Sequence, residues 1–316
     1  MQQTLLVTVP FFALVLLGWA VTRRGLLPLE AIPGLNVFVL FFALPCMLYR
    51  FAATTPIVRL LDPTVSTVYL LCALLMVALT IFTSRRGAIG WNDASFGALV
   101  AAFPNSGFIG VPLLVALLGQ GAAGPAIVSL SIDMVVTSSL CIALSRLGGA
   151  NHQGVVLAVG HALKGMLKNP LPWAILLGCL TTAADLELWA PVRNAVGMLA
   201  DGASPVALFT LGAMLARRPH AAVAGGLSDV PLLAFLKLVV HPALVLGIGK
   251  LAKAAGVPLD DFALTVLVLV AALPSASSIP MLAERFGADA GRIARIVLFT
   301  TVGSFVSFSA AVALLV

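Results

Sequence analysis

Apolar residues in this chain neither alternate nor repeat on one helical face. They run in blocks of about 20, the length a helix needs to cross a bilayer. The blocks fall near 3–22, 34–53, 64–83, 94–118 and 124–146. After a polar stretch from Gly148 to Lys168 they resume near 169–184, 194–216, 230–250, 261–283 and 292–315. The pattern predicts an all-α integral membrane protein of ten transmembrane helices. The 169–184 block is short and needs a neighbour's support. The first nine residues carry no Lys or Arg, and nothing resembles a cleavage site before Arg23, so the first block is expected to remain as a span.

Composition strengthens this reading. Apolar residues make up 61% of the 316 and charged residues only 9%, with a mean hydropathy of +1.12. A soluble domain carries about 25% charged residues. So few charges cannot cover a water-facing surface, which excludes a cytosolic enzyme, a secreted module and a disordered regulator. Cys46, Cys72, Cys141 and Cys179 lie in apolar blocks without metal-like spacing and read as packed thiols. No metal site and no resident cofactor is expected.

The net charge of +6 does not point to nucleic acid, because the 18 Lys and Arg are scattered between blocks and not gathered on one face. Their distribution orients the chain. With ten spans both termini share a side. The opposite loops carry Arg23, Arg24, Arg85, Arg86, Arg146, Lys164, Lys168, Arg217, Arg218, Arg285, Arg292 and Arg295. The terminus side carries Arg50, Arg59, Arg193, Lys250 and Lys253, and Lys237 lies inside a span. Basic residues are retained in the cytoplasm, so both termini are expected outside.

An internal repeat follows. Val100-Ala-Ala-Phe-Pro104-Asn-Ser-Gly matches Val270-Ala-Ala-Leu-Pro274-Ser-Ala-Ser at an offset of 170, and Pro45 and Pro205 echo it more faintly in blocks 2 and 7. Residues 1–146 would form one five-helix repeat, 147–168 a cytoplasmic connecting loop, and 169–316 a second repeat. Five is odd, so the second copy is inverted, an arrangement of many secondary transporters whose substrate sits near the midplane. Pro104 and Pro274 lie deep in their blocks and remove helical N–H groups. Asn105, Ser106, Gly107 and Gly110 surround the first, and Ser275, Ser277 and Ser278 the second. The expectation is two broken spans crossing at the bilayer centre. Their exposed N–H groups and half-helix N-termini would favour an anion, above all a carboxylate. A plain proline kink capped by Ser and Asn is the competing reading.

These residues resemble the auxin efflux carrier superfamily, the plant PIN-type auxin exporters and bacterial relatives that include malonate and other carboxylate transporters. F-P-N-S-G-F-I-G-V-P-L at 103–113 resembles the family's Pro-Asn crossover motif. F-A-L-P at 42–45, L-A-D-G-A-S-P-V-A-L-F-T-L-G-A-M-L at 199–215, K-L-V-V-H-P-A-L at 237–244 and A-L-P-S-A-S-S-I-P at 272–280 add to it. The resemblance implies a fold like that of bile-acid symporters and sodium/proton antiporters. A scaffold of helices 1, 2, 6 and 7 would support, interleaved in sequence, a mobile transport domain of helices 3–5 and 8–10. It further implies elevator-like movement, dimerisation through the scaffold, Pro104, Asn105 and Pro274 at the crossover, and Asn105 as the carboxylate contact. The loop between blocks 5 and 6 lacks the long hydrophilic insert of the plant exporters, so the chain looks like a prokaryotic inner (plasma) membrane protein with periplasmic termini.

Charges inside the blocks come last. Asp133 lies about 14 Å deep and cannot snorkel; it carries a coupling proton, pairs with Lys237, helps bind a cation, or makes a structural contact beside Ser129 and Thr137. Lys237 either serves function or snorkels. His241, one turn on, is a proton group or a packed core residue. Asp201 reads as an N-cap that starts helix 7. No H-E-x-x-H, nucleophile motif or phosphate loop is present, which argues against an intramembrane enzyme or a primary pump. The expected function is secondary transport of a small organic anion, with H+ or Na+ as the coupling ion and the bilayer and a second copy as partners. A channel or an anion sensor on the same fold is the alternative.

Overall fold

The computed structural model describes residues 2–55, 62–86, 89–147, 170–216 and 229–316. Among these residues the structure is helical, and the one strand-like feature is an isolated antiparallel bridge between Pro104 and Ser275. Six helices are long and apolar enough to cross a membrane: Ala31–Thr54, Pro63–Arg85, Gln120–Ser145, Ala190–Ala216, Val230–Ala254 and Ala290–Leu315. Shorter apolar helices cover Val9–Arg23, Ser106–Leu118, Pro170–Ala183 and Asp261–Ala272. Of the expected 147–168 loop only Leu147 is described, and Arg59, Lys164, Lys168, Arg217 and Arg218 lie outside the described residues. All four cysteines are free thiols.

The chain divides into two compact units. The first comprises Met1–Asp62, Gly107–Val128 and Leu167–Arg218. Its helices approach at glycines, as helices do in lipid, where close van der Waals contact must replace the hydrophobic drive. A Cβ on Gly212 would collide with the Val15 carbonyl, and one on Gly18 with the Phe209 carbonyl, so Gln2–Arg23 and Ala190–Ala216 meet backbone to backbone. The short Pro170–Ala183 helix is seated on Leu44–Thr54 in the same way. Gly178 faces the Tyr49–Ala53 backbone, Thr182 donates to the Ala53 carbonyl at 2.7 Å, and the Tyr49 and Thr181 hydroxyls lie 3.1 Å apart. Asp201 is not an N-cap. Its helix begins eleven residues earlier, at Ala190, and Asp201 instead pairs with Arg50 at 2.6 Å.

The second unit comprises Pro63–Ser106, Ser129–Met166 and Pro219–Val316. One apolar core joins Met76, Phe96, Leu99, Ile142, Leu233, Ile279 and Ile296. Arg292, counted among the loop cations, is 7% exposed here. Its guanidinium grips both Asp229 carboxylate oxygens and donates to the Asp93 carbonyl at 2.8 Å, while Asp93 accepts the Asp289 N–H at 2.7 Å. The clamp gathers the starts of the 91–102, 230–235 and 290–315 helices, and Gly97 leaves the space that the guanidinium fills.

Several helices widen into π-turns: Val39–Ala43, Ser106–Gly110, Asp133–Thr137 and Leu236–Val240. The first, second and fourth are each followed two residues later by proline, at Pro45, Pro112 and Pro242. A proline offers no N–H to the carbonyl four residues back and its ring pushes that carbonyl away, which a wider turn accommodates. The third lacks a proline. There the Ser138 hydroxyl donates to the Asp133 carbonyl five residues earlier at 2.8 Å, supporting the wide turn from the side.

Placing a side chain between the close helices of the first unit has a defined cost. Gly212→Val is expected to destabilise by about 1–3 kcal/mol or more. Gly197→Ala, which lies in the same helix and faces open space, should instead stabilise by up to about 1 kcal/mol; thermal unfolding of the purified protein reads both.

Candidate functional site

The two helix breaks meet in the second unit. Helix Trp91–Ala102 stops before Pro104, and helix Asp261–Ala272 stops before Pro274. The extended stretches pair across each other: Asn105 N–H donates to the Pro274 carbonyl at 2.8 Å and Ala276 N–H to the Phe103 carbonyl at 3.0 Å.

Each freed helix carbonyl finds a donor. Pro104 deprives the Val100 carbonyl of its helical partner, and the Ser275 hydroxyl takes that place at 2.6 Å. In an unbroken helix Ser275 N–H would serve the Ala271 carbonyl; it turns instead to the Thr300 hydroxyl at 3.2 Å. The Lys237 ammonium then caps Ala271 at 3.0 Å, placing a cation on the C-terminal end of the half-helix. Ser275 is thus a strut between the breaks with its hydroxyl proton already used. Two polar atoms beside it are not used: Asn105 Nδ2 and Ser106 Oγ are buried without a hydrogen-bond partner. An unsatisfied buried donor costs about 1–3 kcal/mol, so such atoms mark a place for a ligand or water. Ser277 is buried and Ser278 half-buried where the Ile279–Arg285 helix starts. That helix has only seven residues, so its dipole is a minor contribution to any anion site. Gly107, next after Ser106, is grouped with the first unit.

The charged residues form two sets in the second unit. Asp133 is fully buried at the start of its π-turn and takes one hydrogen bond on each oxygen, from Tyr69 at 2.7 Å and from Thr137 at 3.0 Å. Lys237, also fully buried, lies 3.1 Å from His241 Nδ1. With the lysine charged, Nδ1 accepts and a neutral ring keeps its proton on Nε2, which is buried without a partner. Asp133 and Lys237 act on each other electrostatically, yet no ion pair of 4.0 Å or less joins them. The expected alternative of an Asp133–Lys237 pair is therefore not the arrangement found.

The profile of the membrane transport protein family matches residues 5–312. The chain belongs to this family. It is similar to a Rhizobium meliloti (strain 1021) protein named provisionally as a malonate transporter, 28% identical over 92% of this chain and 89% of that protein. It is 26% identical to an uncharacterized transporter of Escherichia coli (strain K12), over 88% and 86% of the two chains. Auxin efflux carrier component 8 of Arabidopsis thaliana is 22% identical over 84% of this chain and 85% of that carrier. Together with its apolar helices, these relatives make the chain a multi-pass membrane transporter of the auxin efflux carrier family and not an enzyme.

In this transporter the sequence pattern overlooked Tyr69 and Thr300. Tyr69 is one of only two tyrosines, and a phenol in mid-span needs a hydrogen-bond partner, which is the signal that could have found it. Thr300 carries no such signal, because only the turned-out Ser275 N–H makes it a partner. Removing the strut tests its structural role. Ser275→Ala leaves the buried Val100 carbonyl without its partner, and is expected to destabilise by about 1–3 kcal/mol, measured by thermal unfolding in detergent.

Proposed function

We propose that the protein is a secondary carrier of small organic anions, mono- or dicarboxylates such as malonate or an auxin-like weak acid. The carboxylate binds where the two helix breaks cross. The observation that carries this reading is the pair of buried, unpartnered donors, Asn105 Nδ2 and Ser106 Oγ, beside the breaks. Lys237 supports it: a fully buried ammonium without a carboxylate partner is costly, and a transported anion supplies the missing counter-charge. Asn105 and Ser106 hold the carboxylate, Pro104, Gly107, Pro274, Ser275, Ser277 and Ser278 shape the break, and Lys237 balances the charge. Asp133 and His241 handle the coupling ion, H+ or Na+. The provisional malonate name of one relative supports the substrate class.

In this reading the chain makes ten spans as two inverted repeats in a prokaryotic inner membrane, with both termini outside and a homodimer formed through the scaffold helices. Helices 3–5 and 8–10 move as the transport body of an elevator. The grouping of 63–106, 129–166 and 219–316 into one compact unit supports the part of that assignment outside 107–128, which groups with the first unit.

Uptake of radiolabelled malonate into proteoliposomes tests the proposal. Saturable uptake, inhibited by competing carboxylates, is expected. Asn105→Ala should weaken apparent affinity roughly 10- to 150-fold, the loss of one hydrogen bond to a charged group of about 1.5–3 kcal/mol. Uptake indifferent to Asn105→Ala would move the site elsewhere. Binding without uptake would make the protein a sensor, and flux that does not saturate would make it a channel.

A further inference from the structure

Asp133 and Lys237 are fully buried opposite charges on different helices, and each spends its hydrogen bonds on neutral groups. In a medium of low dielectric opposite charges attract strongly, yet no ion pair joins these two. The Tyr69 hydroxyl, reaching from the Pro63–Arg86 helix, holds Asp133 Oδ2 at 2.7 Å. Thr137, within the π-turn itself, holds Oδ1 at 3.0 Å. The two carboxylate oxygens are thus restrained from two elements. Tyr69 is itself fully buried.

We propose that Tyr69 is a positioning residue which, with Thr137, withholds the Asp133 carboxylate from Lys237 and so keeps the lysine's charge available to the transported anion. This rests on the reading of Lys237 as the anion's counter-charge. Without the phenol hydroxyl, Asp133 keeps a single donor and turns toward Lys237. The resulting internal ion pair competes with the substrate carboxylate for the same ammonium, and affinity for the anion falls.

Malonate binding to the purified protein and uptake kinetics in proteoliposomes read this. Tyr69→Phe keeps the ring and is expected to raise the malonate Kd, and with it KM, about tenfold. Thr137→Val, nearly the same shape without the hydroxyl, should act in the same direction and serves if Tyr69→Phe folds poorly. Asp133→Asn cannot form the competing ion pair, so adding Tyr69→Phe to it should leave the malonate Kd of the purified protein, read by equilibrium binding and not by uptake, within about twofold of Asp133→Asn alone. A tyrosine effect that persists in full on the Asp133→Asn background overturns the proposal, since it would then act through packing. Lys237→Gln separates the two layers. If it leaves KM unchanged, the counter-charge reading fails and takes this proposal with it. If Lys237→Gln raises KM while Tyr69→Phe does not, only the role of Tyr69 fails. Infrared difference spectra against Asp133→Asn isolate the Asp133 carboxylate band without any substrate. Tyr69→Phe must shift that band, and an unshifted band overturns the proposal whatever the transport result.

Discussion

Within a bilayer a backbone amide that leaves its helix cannot turn to water, so the protein itself must satisfy every group a helix break exposes. The rest of the second unit is arranged around that constraint. Pro104 and Pro274 open two helices, and the opened strands answer each other through Asn105 N–H to Pro274 and Ala276 N–H to Phe103. What the bridge leaves unmet falls to particular side chains: the Ser275 hydroxyl on Val100, the Lys237 ammonium on Ala271 and the Thr300 hydroxyl under Ser275 N–H. Neither break could persist alone, because each supplies donors or acceptors that the other lacks.

The same constraint explains where charge is tolerated. Lys237 is held in the interior because a freed helix carbonyl and an imidazole accept from it, while Asp133 is held by two hydroxyls on separate elements. Both charges sit at wide turns, where backbone carbonyls are already displaced from helical geometry. Once these groups are accounted for, the polar atoms still without partners at the breaks are few, and they belong to Asn105 and Ser106. The proposed carrier function needs that imbalance: a site complete in itself would gain nothing from binding an anion.

At the end of the second unit marked by Asp93, Asp229 and Asp289, order comes from a different interaction. Arg292 and Asp229 are both nearly excluded from solvent, and the guanidinium's planar fork reaches a carboxylate and a backbone carbonyl together. This clamp holds the start of the 91–102 helix through Asp93. In the first unit, where no charged residue is buried among those described, glycine does the equivalent work by letting backbones touch.

Much of this was legible along the chain. Blocks of about 20 apolar residues mark where helix forms, because in lipid a long apolar run has few other ways to satisfy its backbone. Pro104 and Pro274 mark where helix ends, because proline withdraws an N–H wherever it stands. Asp133, Lys237 and His241 stood out because a charge in an apolar run is expensive in any fold. What the chain could not disclose was partnership. Arg292 looked like one more loop cation until Asp229, 63 residues away, was beside it. Asp201 looked like a helix start, yet its helix begins at Ala190 and its partner is Arg50. Ser275 looked like one more small polar residue beside Pro274, but its hydroxyl donates to Val100, 175 residues back. Nothing local favoured Tyr69 over Lys237 as the partner of Asp133. Those choices depend on which helices lie side by side, and only the tertiary structure brings together groups so far apart in the chain.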